Sequence, residues 1–433
     1  MSLSRRNFLK AAALGTGVML LPGALLRMQE AAKTRRNAVV LVYLRGGADA
    51  LNVLVPFATP RYYDIRPTLA IPVESKEGAP GVVKLDERFG LHPSLSALKA
   101  WYDKGRFAPL VNTGSPHTTR SHFDAQDFME YAAPGNRSVR TGWLNRYLVG
   151  SAAGTEAEGT LRALAMQGLL PRALRGDYAV LAVPDEKVLR EKELLEVFED
   201  HYGEKKESGK KEEPTKDEPK KEEGKMEGER PDDAVEQTGR DTVRTLKRYQ
   251  EILAKPVAGK RAAFPDSQFG RKMRDIATVV RADVGLEVAC LDYNGWDDHV
   301  NEGGNEGQMA NRLKDLGDSM SAFAEDLGDA LDRTLVLVVT EFGRTCRENG
   351  NEGTDHGHGG FAFLLGGKAQ GGKVHGEWTG LDDAALYQKR DLPVTTDFRD
   401  LFAEVLKGHL AFEAPAGFFP EYTHKGVKGL FKA

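Results

Sequence analysis

Apolar residues in this chain gather into short unbroken runs instead of alternating with polar ones. Residues 39–44, 107–112, 286–291, 334–340 and 361–365 are each of strand length and carry almost no polar face. Strands that are apolar on both faces belong to the interior of a parallel sheet covered by helices. Between these runs, residues 94–103, 307–327 and 397–407 show the spacing of amphipathic helices. Strands alternating with helices predict an α/β fold: a doubly wound, mostly parallel sheet with helices on both faces.

Such a sheet binds ligands beyond the carboxyl ends of its strands. The polar clusters of this sequence fall there. Run 39–44 breaks at Arg45-Gly46-Gly47-Ala48-Asp49, and run 286–291 is followed by Trp296-Asp297-Asp298-His299. Run 334–340 leads into Glu341-Phe342-Gly343-Arg344-Thr345, and then to Asp355, His356 and His358 among glycines. Carboxylate oxygen and neutral imidazole nitrogen bind zinc and the harder divalent cations. Asp49, Asp297, His299, Glu341, Asp355, His356 and His358 are therefore the expected metal ligands, for one or two divalent cations among Zn, Mn, Ca and Mg. Taken singly, each cluster also reads as a hydrogen-bonded loop rich in His and Gly; their shared placement favours the metal.

Run 107–112 is followed by residues 113–127, in which hydroxyls, imidazoles and an arginine crowd a strand-to-helix turn. Backbone N–H groups and the helix dipole favour a phosphoryl or sulfuryl oxyanion at such a place. Thr118, Arg120 and His122 are the expected catalytic residues here, with Thr118 a nucleophile activated by a nearby cation. Ser121, with Asp124 three positions on, reads as a helix cap. Arg120, Arg45 and Arg344 are candidates to neutralise substrate oxygens.

Composition changes sharply at residues 203–233, which are almost wholly Lys, Glu, Asp, Pro and Gly. Such a segment buries nothing and is expected to be a disordered, solvated insertion. Its flanks, 186–201 and 234–253, look helical, so residues 185–255 are expected to form a small peripheral helical cap on a single domain spanning 36–433.

Net charge is only −4, which argues against a nucleic-acid surface. Two cysteines, Cys290 and Cys346, make no disulfide framework. At the start of the chain, Arg5-Arg6 precedes an apolar run over 11–26 that is short for a membrane span. This resembles a twin-arginine export signal over residues 1–35, which implies the export machinery as a partner and a periplasmic or exported destination. No other segment is long and apolar enough to cross a bilayer, so no stable membrane span is expected after processing.

Taken in order, the export signal, the run from Leu44 to Asp49, the run from Gly114 through His117, Thr118, Arg120 and His122 to Gln126, the Trp296 to His299 cluster, Thr340 to Thr345 and Asp355 to Gly360 resemble the bacterial domain of unknown function 1501 family. That family is similar to the alkaline phosphatase superfamily, with its sulfatases and cofactor-independent phosphoglycerate mutases. The resemblance implies an alkaline phosphatase-like fold, usually two metals, and a Ser, Thr or modified Cys nucleophile. It gives Asp49 the place of the ligand after the first strand and Thr118, four residues before His122, that of the nucleophile. It assigns Asp297 and His299 to half of a second metal site, Glu341 to the carboxylate after the late strand, and leaves His356 and His358 as rivals for the last imidazole. Two departures stand out: Glu341-Phe342 replaces the usual Asp-His, and Asp297 to His299 is more closely spaced than usual. The implied activity is metal-dependent hydrolysis of a small anionic phosphate or sulfate ester; the alternative is a non-catalytic, metal-stabilised periplasmic binding or assembly protein. A zinc-peptidase reading lacks the helical His-Glu-x-x-His signature.

Overall fold

In the computed structural model, alternate residues of the first strand enter two different cores. Val40, Val42 and Leu44 pack into one, Val39, Leu41 and Tyr43 into the other, and all are buried. This is why the run shows no polar face. The structure describes residues 36–75, 80–151, 161–183, 231–257 and 259–432, with the side chains of 231–241 left aside.

The strands are β1 (Ala38–Arg45), β2 (Leu54–Val55), β3 (Val83–Lys84), β4 (Gly90–Leu91), β5 (Phe107–Gly114), β6 (Ala163–Ala165), β7 (Leu181–Ala182), β8 (Val288–Asn294), β9 (Thr334–Thr340), β10 (Gly360–Gly366) and β11 (Thr396–Asp397). Eight of them form one sheet in the order β11-β5-β10-β9-β1-β8-β6-β7, while β2, β4 and β3 form a small second sheet. Every pairing in the large sheet is parallel except those of β10, which runs antiparallel to β5 and β9. The carboxyl ends of β5, β9, β1 and β8 therefore share an edge with the amino end of β10.

The helices that matter here are α1 (His122–Glu130), α2 (Trp143–Gly150), α3 (Pro231–Ala254), α4 (Gln268–Arg281), α5 (Gln308–Leu327) and α6 (Phe398–Glu404). Helices α4 and α5 bring Met273, Ile276, Leu313, Leu316 and Phe323 to the core on one sheet face. Trp143, Leu144 and Tyr147 of α2, with Leu401 and Phe402 of α6, cover the other. The expected α/β sheet with helices on both faces is observed.

Several boundaries differ from the sequence reading. The amphipathic stretch 94–103 divides into a 3-10 turn, Pro93–Leu98, and a short helix, Lys99–Asp103. Stretch 397–407 forms α6 and then a π turn, Val405–His409. The helix expected over 234–253 is α3, which buries Tyr249 and Ile252 against the α4 and α5 side of the core. The export segment 1–35, the helix expected at 186–201 and residues 203–230 of the charged insertion lie outside the described residues. Cys290 and Cys346 are both buried and unpaired. Burial pushes the Cys346 thiol up to about 12, which leaves it unreactive. Among the described residues no helix is long and apolar enough to cross a membrane.

Candidate metal centre

Gly46 and Gly47, directly after β1, have φ of 125° and 71°, and a Cβ on Gly46 would lie 2.5 Å from the backbone nitrogen of Asp297. Only glycine lets the β1 and β8 termini approach this closely. Gly353 is equally confined, since its Cβ would meet the His299 carbonyl at 2.4 Å. The loop from β9 to β10 is thereby docked against the loop after β8. Thr354 N donates to Asp298 O at 3.0 Å and Asn349 Nδ2 donates to His299 O at 2.9 Å.

This docking brings four ligand atoms together from three chain segments. His356 Nε2 lies 2.9 Å from His122 Nε2, 2.9 Å from His299 Nε2 and 3.1 Å from Asp297 Oδ1. Asp297 Oδ1 is also 3.0 Å from His299 Nε2 and 3.4 Å from His122 Nε2. Ligand atoms of His122, Asp297 and His356 all fall within 4.8 Å of one another. Atoms bound at about 2.1 Å to one cation lie roughly 3–4 Å apart, so the spacing suits a shared ion.

The opposite nitrogen of each imidazole decides what the group presents. His122 Nδ1 donates to Glu341 Oε1 at 2.8 Å, His299 Nδ1 to Asp355 Oδ1 at 3.1 Å, and His356 Nδ1 to the Arg120 carbonyl at 2.8 Å. A carbonyl can only accept, and both carboxylates are held below the usual range. Burial would raise Glu341, but its bonds from His122 and Gln126 outweigh that; Asp355 is lowered likewise by Asn349 and His299. With each Nδ1 carrying the hydrogen, each neutral ring aims an Nε2 lone pair at the others and at a carboxylate oxygen. Converging lone pairs repel unless a positive charge sits among them. Burial lowers the His122 pKa, but the hydrogen bond and charge of Glu341, and then the charge of Asp297, outweigh it and hold the imidazole above the ordinary histidine value.

Outer residues fix this geometry. Glu341 is fully buried and its Oε1 also accepts from Gly46 N and from Gln126 Nε2, both at 2.9 Å. Gln126 follows His122 by one helical turn of α1, so both side chains leave the same face. Arg344, itself buried, donates from Nη2 to Asp297 Oδ1 at 2.8 Å and to Trp296 O at 3.1 Å. Asp297 and His299 stand at the mouth with side chains 46% and 40% exposed, while His122 and His356 lie deeper.

The remaining expected residues are placed elsewhere or one layer out. Asp49 is buried and bound at both oxygens by the Arg66 guanidinium, with Nη2 to Oδ1 at 2.8 Å. Burial would raise its carboxyl, but Arg66 holds it down, so its charge is already neutralised away from the imidazoles. Beside it, burial and then the Asp49 charge drive Glu302 well above the carboxylate range. Glu341 and Asp355 grip imidazoles, and their atoms within 3.2 Å are hydrogen-bond donors. Of the rivals His356 and His358, the structure brings only His356 to the group. His358 stacks on Tyr387 at 4.1 Å between centroids, and burial, then Arg120, pushes it down to about 4. His122, expected to act in catalysis, is a donor of the group. Arg120 is tied through Nη2 to Asp391 at 2.6 Å and Gln388 at 2.9 Å. Arg45 is engaged with Glu130 and Asp292. Thr118 is exposed and its hydroxyl makes no hydrogen bond among the described residues. Ser121 occupies the N-cap of α1 without a side-chain capping bond, and Asp124 pairs with Arg137 instead.

Fold and donor set together define an α/β protein with a His/Asp group, fit for a divalent cation, at the carboxyl edge of a mostly parallel sheet. The chain belongs to the family described as protein of unknown function (DUF1501), which matches residues 36–413. No curated protein matches it. Among solved structures, the C-terminal periplasmic domain of EcEptC from Escherichia coli, in complex with Zn, is 11% identical with a TM-score of 0.28, covering 77% of this chain and 74% of that one. Phosphonate monoester hydrolase of Agrobacterium radiobacter is also 11% identical with a TM-score of 0.28, covering 91% and 79%.

Proposed function

We propose that this chain is an exported, metal-dependent hydrolase of phosphate or sulfate esters. One observation carries the reading: three imidazoles, each with Nδ1 hydrogen-bonded to an acceptor, aim Nε2 at one another and at Asp297 Oδ1. Histidine ligands whose far nitrogen is held by carboxylate or carbonyl are the usual construction of a metal site. A divalent cation supplies Lewis acidity toward an ester oxygen and offsets charge in an in-line displacement. Zinc suits three nitrogens and one carboxylate oxygen, and manganese is the runner-up.

The chain's own groups would orient the rest. Arg344 steadies Asp297, and the Arg120 carbonyl steadies His356. Thr118, two residues before Arg120, is the proposed attacking hydroxyl, with water as the alternative. Arg5-Arg6 and the apolar run after them support export.

A second reading, a non-catalytic metal-stabilised binding or assembly protein, is favoured by the absence of any hydrogen bond from the Thr118 hydroxyl to the group among the described residues. Metal analysis of the purified protein, then a screen of aryl phosphates and aryl sulfates with and without chelator, separates the two. Bound metal and chelator-sensitive turnover are expected. Bound metal without turnover of any ester supports the second reading.

A further inference from the structure

We propose that the His/Asp group holds one divalent cation per chain, not the two that the resemblance implies, and that Phe342 is the positioning residue that keeps water off its inner side. The proposal rests on the metal part of the reading above and fixes its stoichiometry. Ions paired in one site stand about 4 Å apart and repel, so such a site needs several uncommitted carboxylates to offset both charges. Among the described residues, His122, Asp297 and His356 are the one set of three whose ligand atoms lie close enough to share an ion.

The carboxylates around that set already answer other donors. Glu341 Oε1 accepts from His122 Nδ1, Gly46 N and Gln126 Nε2, and its Oε2 meets Thr340 Oγ1 at 3.3 Å. Asp355 Oδ1 accepts from His299 Nδ1 and from Asn349 Nδ2 at 3.2 Å. Asp298 Oδ2 is bound by Arg312, and both oxygens of Asp49 by Arg66. Arg66 is fully buried, and its Nε and Nη2 are anchored on the carbonyls of Cys346 and Thr345 at 2.8 and 2.9 Å. A fixed guanidinium is thus the cation that Asp49 receives, and a metal ion would have to displace it.

Phe342 closes the side toward the loop after β1. Its ring centroid lies 4.8 Å from that of His122 and 5.1 Å from that of His356. A Cβ on Gly47 would fall 2.6 Å from Phe342 Cε2, so the chain just past β1 abuts the same ring. The side chain is buried and carries no donor atom. Water placed against it would forfeit hydrogen bonds. Three nitrogens and one carboxylate oxygen around one ion, with an apolar wall behind two of the imidazoles, favour four-coordination.

Zinc content of the full chain, loaded with excess zinc and passed through gel filtration, tests the count. One equivalent is expected. Two retained equivalents overturn the single ion and leave the metal reading standing, whereas none overturns both. Cobalt(II) in place of zinc tests Phe342 by visible absorption, because four-coordinate cobalt has no inversion centre and absorbs far more strongly than cobalt that has added water. A strong band is expected in the wild type and in Phe342→Leu, which keeps the apolar bulk, and a several-fold weaker one in Phe342→Ala. A weak band in the wild type, or an undiminished one in Phe342→Ala, overturns the role of Phe342.

Discussion

Glu341 Oε1 lies 2.8 Å from His122 Nδ1, and this contact sets which nitrogen of His122 faces Asp297. The carboxylate is fully buried and also holds the backbone after β1 through Gly46 N. One side chain from the end of β9 thus couples the β1 terminus to the first turn of α1.

Glu341→Gln should keep the fold and weaken zinc affinity by roughly 10- to 100-fold, the usual cost of losing an outer carboxylate partner of a ligand. Asp297→Asn and His356→Gln should lose the metal altogether. Metal content after dialysis, and the melting-temperature rise on adding zinc, report both.

Asp49 and Arg66 make the opposite prediction. Because Arg66 occupies both Asp49 oxygens, Asp49→Asn should leave zinc content unchanged. Arg66→Met strands the Asp49 charge beside Glu302 and should cost about 3–5 kcal/mol in denaturant unfolding. Loss of metal in Asp49→Asn would make Asp49 a ligand after all.

Thr118→Ala should abolish ester hydrolysis with metal content intact, whereas Ser121→Ala should leave both nearly unchanged, since Ser121 makes no capping bond. Hydrolysis that survives both substitutions identifies water as the attacking group. Steady-state kinetics with an aryl phosphate decide among these outcomes.

Stability should fall in mild acid, with His409 as one cause. Its Nε2 donates to Ala38 O at 2.9 Å, Nδ1 is buried without a partner among the described residues, and burial lowers the pKa from 6.5 to about 4. The unfolded chain binds the proton more readily, so this contribution is complete above pH 6.5 and is lost as pH falls from there to about 4. The shift corresponds to about 3 kcal/mol at full protonation. Unfolding free energies measured between pH 7 and 4 should fall less steeply in His409→Gln, which keeps a donor but does not titrate.

Replacing Arg5 and Arg6 with lysine should hold the protein in the cytoplasm, as fractionation and immunoblotting would show. Unchanged delivery would rule out the twin-arginine route.

Sequence alone determined the long strands β1, β5, β8, β9 and β10, because burial on both faces demands unbroken apolar runs such as those at β1 and β9; the two- and three-residue strands, β6, β7 and β11 among them, left no such run. It also showed that the polar clusters holding Asp297, His299, Glu341 and His356 begin where the apolar pattern stops. That Gln126 and His122 leave the same face of α1 was within reach as well, since residues four apart share a helix face; that both reach Glu341 was not. Which of these groups meet was decided only in three dimensions. The antiparallel direction of β10 returns the 341–359 loop to the carboxyl edge and presents His356 there, while His358, two positions later, turns to Tyr387. Asp49 has the position of a ligand along the chain, yet Arg66 claims it, and a salt bridge between residues 17 apart leaves no periodic trace in sequence. Strand formation follows from local pattern and burial. The direction of a side chain at a strand end follows from whichever distant partner best neutralises it, and only the folded chain brings those partners near.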